Sequence, residues 1–216
     1  MGYSIDLSKI SIDRYKEILK NQNLLPGRRM LLENLDNNFD RITNAGVRNL
    51  AELKSSLSSK QKLSAFAEKT GISEDYLTIL KREMGSLEQK PVPFSDFPGI
   101  PGDIVSALLS KGIKSSKDVY EMDNVPDELQ ELYSLCNLVR INGVGSAAAR
   151  TLYESGYKSV IEIAGAKAAE LLEGMNIVNA DKKYYKANLG EKDMQFIIDA
   201  ANFIVEQEKN KHEIIP

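Results

Sequence analysis

The sequence predicts an all-α protein assembled from repeated helix-turn-helix corners, and three observations carry that expectation. Apolar residues recur at spacings of three and four along most of the chain, which is the helical period. A seven-residue pattern occurs three times: Gly46-Val47-Arg48-Asn49-Leu50-Ala51-Glu52, Gly112-Ile113-Lys114-Ser115-Ser116-Lys117-Asp118 and Gly156-Tyr157-Lys158-Ser159-Val160-Ile161-Glu162. Counting back 13 residues from Gly112 and Gly156 reaches Gly99 and Gly143, so an offset of 44 superposes 97–120 on 141–164 without a gap. The first copy has Glu33 at that distance and keeps only the second half of the unit.

Each copy of the pattern encodes one corner. The glycine suits the left-handed residue that ends a helix. The apolar residue after it turns back to the core, and Asn or Ser followed three positions later by an acid opens the next helix as a capping box.

Taken in order, Ile12, Tyr15, Ile18 and Leu19 predict a first helix, and Pro26 fits a helix N1 position. Met30, Leu31, Leu35, Phe39 and Ile42 continue the period up to the Gly46 corner. Leu63, Phe66 and Ala67 mark a helix that Gly71 stops, and Ser73 starts the next, with Tyr76, Leu77, Leu80 and Met84 on one face. Gln89-Lys90-Pro91-Val92-Pro93 breaks the pattern, since two prolines forbid a helix and favour an extended linker. Beyond it, Ile104 and Leu108 precede the Gly112 corner, and Pro126 with Asp127 and Glu128 opens a helix with favourable first-turn charge. Leu129, Leu132, Leu135 and Leu138 carry it to the Gly143 hairpin; Phe196, Ile197, Ala200, Phe203 and Ile204 predict a long closing helix from about Glu191. Residues 209–216 are expected to fray. No alternating strand is evident. The expected organisation is an N-terminal helical subdomain over 1–90 with a degenerate repeat unit, then 91–216 with two units at about 94–123 and 138–175 and the closing helix.

The hairpin names a resemblance. Leu138-x-x-Ile141-x-Gly143-Val144-Gly145-x-x-x-Ala149-x-x-Leu152 resembles the helix-hairpin-helix motif at every diagnostic position. The stretch from about Arg28 to Leu189 is similar to a bacterial family of tandem helix-hairpin-helix (SAM-like) units, domain-of-unknown-function family 4332. Arg28-Arg29-Met30-Leu31-Leu32-Glu33, Lys69-Thr70-Gly71-Ile72-Ser73-Glu74, Asp96-Phe97-Pro98-Gly99 and Lys186-Ala187-Asn188-Leu189-Gly190 carry that likeness. It implies tandem helix-hairpin-helix repeats and, by itself, no activity.

Composition bounds the rest. With 216 residues and 42% hydrophobic content the chain has ample material for a packed core. It shows no export signal and no membrane span, and its single cysteine, Cys136, forbids an internal disulfide, so the cytoplasm is the expected compartment. The net charge of −3 argues against a strong nucleic-acid binder, but the charge is unevenly spread. Residues 91–139 hold 3 basic and 8 acidic side chains, whereas 140–192 hold 8 and 6.

In the helix-hairpin-helix class, as the resemblance implies, the glycine hairpin and the following helix N-terminus face a nucleic-acid phosphate. Open amide donors plus a helix dipole do make an anion site on physical grounds alone. The candidate nucleic-acid-binding residues are therefore Gly143, Val144, Gly145 and Ser146, with charge supplied by Arg140, Arg150 and Lys158. Ala147 stands where DNA-binding members of the class often carry Lys or Arg. The middle unit has Asp103 there and Pro101 in place of an amide donor, so at most one hairpin is competent. The competing reading is that the glycines serve only close packing of two helices.

The same residues imitate a dinucleotide fingerprint, Gly143-Val144-Gly145-Ser146-Ala147-Ala148, with Glu162 at the ribose-binding distance. Helical spacing before Gly143 and the role of Glu162 as a capping acid oppose that. The one histidine, His212, lies far from Cys136 in the expected frayed tail, and no histidine-carboxylate metal cluster or Walker loop exists; the sequence suggests no catalytic or metal-binding residue, no cofactor and no small-molecule substrate. Lys182-Lys183-Tyr184-Tyr185-Lys186 interleaves aromatics and charge as a base-stacking surface would, or covers a helix end with snorkelling lysines. Lys54, Lys60 and Lys62 read as a solvated face. The expected function is a non-catalytic binding module with weak, sequence-independent affinity for a DNA or RNA backbone; the alternative is a protein–protein interaction or scaffold role.

Overall fold

The structure is a computed structural model that describes residues 2–22 and 24–212, the side chains of 210–212 excepted. It is all-α. Among the described residues there is no strand, only isolated bridges pairing Ser11 with Asn49 and Pro93 with Ser115. Where a dinucleotide fold would need its first strand, the chain forms a helix over Gln130–Leu138.

The chain divides into two compact units, Asp6–Glu88 in one and Met1–Ile5 with Gln89–Pro216 in the other, each considered over its described residues. The first unit holds α1 (Ile12–Asn21), α2 (Leu35–Asn44), α3 (Leu50–Ser56), α4 (Lys60–Thr70) and α5 (Glu74–Gly85). Its core is built from the periodic residues of those helices, with Tyr15, Leu19, Phe39, Ile42, Leu53 and Leu77 among the buried side chains. The run from Met30 to Ile42 is not one helix. Pro26–Leu32 is a 3-10 turn with proline at its start, and Asn34 breaks it from α2 with φ of 49°. Asparagine tolerates that left-handed conformation better than most residues. Glu83 is buried on α5, where it is paired with Arg28 and accepts a hydrogen bond from the Gln22 amide at 3.1 Å.

The second unit holds α6 (Gly102–Ser110), α7 (Ser116–Tyr120), α8 (Gln130–Leu138), α9 (Ser146–Glu154), α10 (Val160–Ala164), α11 (Ala168–Lys182) and α12 (Glu191–His212). The offset of 44 that relates the sequences also relates the helices: α6 to α9 and α7 to α10 start and stop in register. Gly99 and Gly143 both take positive φ, 78° and 90°, and paired core positions Leu108/Leu152 and Val119/Ile163 are all buried. The long closing helix α12 packs on α10 and α11. It runs to His212, into the stretch from residue 209 that the sequence expects to fray; 213–216 lie outside the described residues.

All three corners share one hydrogen-bond plan. The apolar residue after each glycine sends its N–H back five positions: Val47 to Ile42 O (3.4 Å), Ile113 to Leu108 O (3.1 Å) and Tyr157 to Leu152 O (3.0 Å). That is the Schellman closure of a helix C-terminus. The acid at the end of each pattern then accepts the N–H of the basic residue: Arg48 to Glu52 (2.8 Å), Lys114 to Asp118 (2.9 Å), and Lys158 to Glu162. In the middle copy these contacts hold the Asp118 carboxyl below the ordinary aspartate range, although burial pushes the other way. Gly46, Gly112 and Gly156 have φ of 90°, 78° and 98°. A Cβ added at Gly156 would meet nothing within 4 Å, so the cost of a side chain there is backbone strain alone. Gly156→Val should lower stability by about 1–2 kcal/mol, measured by denaturant unfolding; an unchanged midpoint would mean that the corner relaxes to another conformation.

Candidate functional site

The hairpin at Gly143 is set by its neighbours on both sides. Gly143 turns the chain with φ of 90°, and Val144 drops into the core, its N–H donating to Ile141 O at 3.0 Å. Gly145 is exposed, adopts extended backbone, and accepts the Ala149 N–H at 2.8 Å as the N-cap of α9. Among the described residues no backbone carbonyl accepts from Ser146, Ala147 or Ala148, whose N–H groups form the open first turn of α9. Of the candidate hairpin residues, Ser146 thus keeps its N–H open in the first turn of α9, whereas the Val144 N–H is taken by Ile141 O. One flank of the hairpin is occupied, however. A Cβ at Gly143 would fall 3.0 Å from the Phe196 ring and 3.4 Å from Ile197, so α12 lies directly against it.

Two of the three candidate charges are buried in ion pairs of their own. Arg140 is 6% exposed. Its Nε donates to Tyr3 O at 3.0 Å and its Nη1 to the Tyr120 hydroxyl at 2.5 Å, while Nη2 is paired with Glu208. The guanidinium also stacks 4.1 Å from the centre of the Tyr120 ring. Arg150 is 4% exposed; its Nε donates to Pro98 O at 2.8 Å and its Nη1 to Glu131 at 2.8 Å. Its Nη2 is buried without a partner and packs against Gly99, where an added Cβ would come within 3.4 Å. Both guanidinium groups are thus already desolvated and matched to a carboxylate, and a group in that state gains little from a second anion. Lys158 remains exposed, with Nζ 5.6 Å from the centre of the Tyr153 ring.

The Tyr184–Tyr185 pair is likewise committed to packing. Tyr184 donates its hydroxyl to Glu154 at 2.7 Å, and Tyr185 lies half-buried against the core with its amide bonded to Asn179. Lys54 pairs with Glu88. Lys60 is exposed beside a shallow cavity of about 560 Å³ whose walls also include Lys81, Arg82 and Glu74. Cys136 is fully buried in α8, and desolvation pushes its thiol far above the ordinary value, so it is no nucleophile. Among the described residues no three His, Cys, Asp or Glu side chains are grouped to hold a metal, and no helix is long and apolar enough to cross a membrane.

A family model described as a domain of unknown function (DUF7898) matches residues 133–211. It covers less than half of the chain, beginning in α8 and ending in α12. The matched stretch holds the Gly143 hairpin, both buried arginines and most of the closing helix, which meets the hairpin through Phe196 and Arg140 through Glu208. No curated protein and no solved structure matches the chain.

The residues that decide the site, Tyr3, Tyr120, Glu131 and Glu208, were not among the sequence-derived candidates. A half-signal existed in Arg140 and Arg150 themselves, each flanked by apolar residues, Arg140 by Val139 and Ile141 and Arg150 by Ala149 and Leu152. A charge drawn into the core among such neighbours is almost always paired.

Proposed function

We propose that the chain is a non-catalytic binding module of tandem helix-hairpin-helix units, and that these units serve as structural elements of a protein–protein interaction or scaffold protein. The observation that carries this reading is the burial of Arg140 and Arg150 in intramolecular ion pairs, so that of the three candidate cations Lys158 alone is exposed. The repeated corners, the register of α6–α7 with α9–α10 and the resemblance of residues 138–152 to the motif support the helix-hairpin-helix assignment and, with it, the kinship to family 4332 of bacterial proteins. A cytoplasmic setting accords with a chain whose single cysteine, Cys136, is buried and outside any disulfide. Exposed apolar side chains on three helices, Leu109, Ile161 and Ile177, give a protein partner apolar surface to cover.

Weak nucleic-acid backbone binding is the second reading. It is favoured by the exposed Gly145 and the open amides of Ser146, Ala147 and Ala148. Salt dependence separates the two. One exposed lysine and the helix N-terminus neutralise about one phosphate, so any duplex binding should be no tighter than about 10⁻⁴ M at physiological salt, with a log–log salt slope near −1. The measurement is a titration with random-sequence duplex and single strand at low salt. Micromolar affinity, or a slope of about −3 or steeper, would show that a cationic surface is engaged and would displace the interaction reading.

A further inference from the structure

The first residues of the chain are held as a bound peptide is held. Tyr3 is 2% exposed, and each of its polar groups is met. Its N–H donates to Glu121 Oε1 at 2.8 Å, its carbonyl accepts from Arg140 Nε at 3.0 Å, and its hydroxyl pairs with Ser116 Oγ at 2.8 Å. The ring stands edge-on to Tyr120, with centroids 6.0 Å apart, and Tyr120 is stacked in turn on Tyr133 at 5.7 Å. A desolvated tyrosine whose ring fills a pocket and whose backbone pairs in both directions is the arrangement of an interface anchor.

The receptor side is built by other contacts as well. Ser116 exchanges hydrogen bonds with Val92, its N–H donating to Val92 O at 2.8 Å and its Oγ accepting the Val92 N–H at 2.9 Å. Arg140 is held by Glu208 of α12 and stacks on Tyr120. After Ile5 the chain leaves this unit, forms the whole of the Asp6–Glu88 unit, and returns at Gln89. The tyrosine is therefore tied to its pocket through a separately packed body, not through a local turn.

We propose that Ser116, Tyr120, Glu121, Tyr133 and Arg140 form a tyrosine-anchored peptide site which residues 2–5 fill in cis, and that the occupant it takes in trans is the same segment of a second copy of this chain. Exchange of identical arms between copies adds no new contact, because each pocket receives the same tyrosine. It deepens the protein-interaction reading above and rests on that reading for its use. The tether makes the cis contact intramolecular, so a trans segment of lower affinity is excluded until the arm is weakened.

The test uses the full chain carrying Tyr3→Ala and a fluorescent peptide of residues 1–8 of this sequence. The peptide should bind the variant at least about tenfold more tightly than the wild type, whose pocket is occupied. A peptide with alanine in place of the tyrosine should not bind either protein. If Tyr3→Ala alone destabilises the fold, the tyrosine peptide should raise its melting temperature and the alanine peptide should not. Equal binding to wild type and variant, or neither binding nor a rise in melting temperature at millimolar peptide, overturns the site. Sedimentation of the wild type then decides the occupant: a dimer that grows with concentration and is lost in Tyr3→Ala is expected, and a wild type that stays monomeric at millimolar concentration overturns the second copy. Failure of these measurements leaves the nucleic-acid titration untouched, so the two readings fail separately.

Discussion

Arg140→Ala should destabilise the unit formed by residues 2–5 and 89–212 by about 3–5 kcal/mol, the usual cost of removing one partner from a buried ion pair. The size follows from what is left behind. The Tyr120 hydroxyl and the Tyr3 carbonyl, both buried, and the partly buried Glu208 each lose a charged donor. Chemical or thermal unfolding of the purified variant checks this, with a fall in melting temperature of roughly 10 °C expected for a chain of this size. Arg140→Lys should recover only part of the loss, because an ammonium cannot present the planar fork that serves several acceptors at once. A loss under about 1 kcal/mol, the range of exposed pairs, would mean that Arg140 is solvated, and would return it to the list of cations available to a phosphate.

Gly143→Val is the second large effect, and it is a sum of two costs that can be separated. The left-handed backbone, at φ of 90°, costs a β-branched residue about 1–2 kcal/mol. The Phe196 ring, 3.0 Å from the added Cβ, must also shift, and overpacking of that kind adds about 1–3 kcal/mol. The loss should thus exceed that of Gly156→Val, whose Cβ meets open space. Adding Phe196→Ala should make the Gly143→Val step cheaper by the steric part alone, a coupling that a double-mutant cycle measures. Equal costs at Gly143 and Gly156 would show that α12 does not press on the hairpin in solution.

The legible part of this fold is the part whose causes lie close together in sequence. The corner at Gly156 needs a glycine, an apolar residue that reaches back five positions, and a serine–acid pair three apart, so seven letters specify it. The break at Pro91–Pro93 and the closing helix from Glu191 are of the same kind, one set by missing donors and the other by period. Asn34 marks where this reading ran short. Its left-handed φ ends one segment and starts α2, yet the apolar spacing from Met30 to Ile42 passes across it without interruption.

The candidate site was legible only as backbone. The sequence by itself determined that two glycine hairpins would be followed by helices with open first-turn amides, because backbone conformation is decided within a few residues. Only the tertiary structure decided which charges would stand near them. Arg140 finds its acceptors in Tyr3 and Glu208, 137 and 68 residues away, and Arg150 finds Pro98 at 52. Whether a guanidinium is solvated or buried depends on which distant elements close over it, and no local period records that. The burial of those two arginines, not the shape of the hairpin, moves the balance from a phosphate site towards a structural joint, since a charge already desolvated and paired is no longer free to bind.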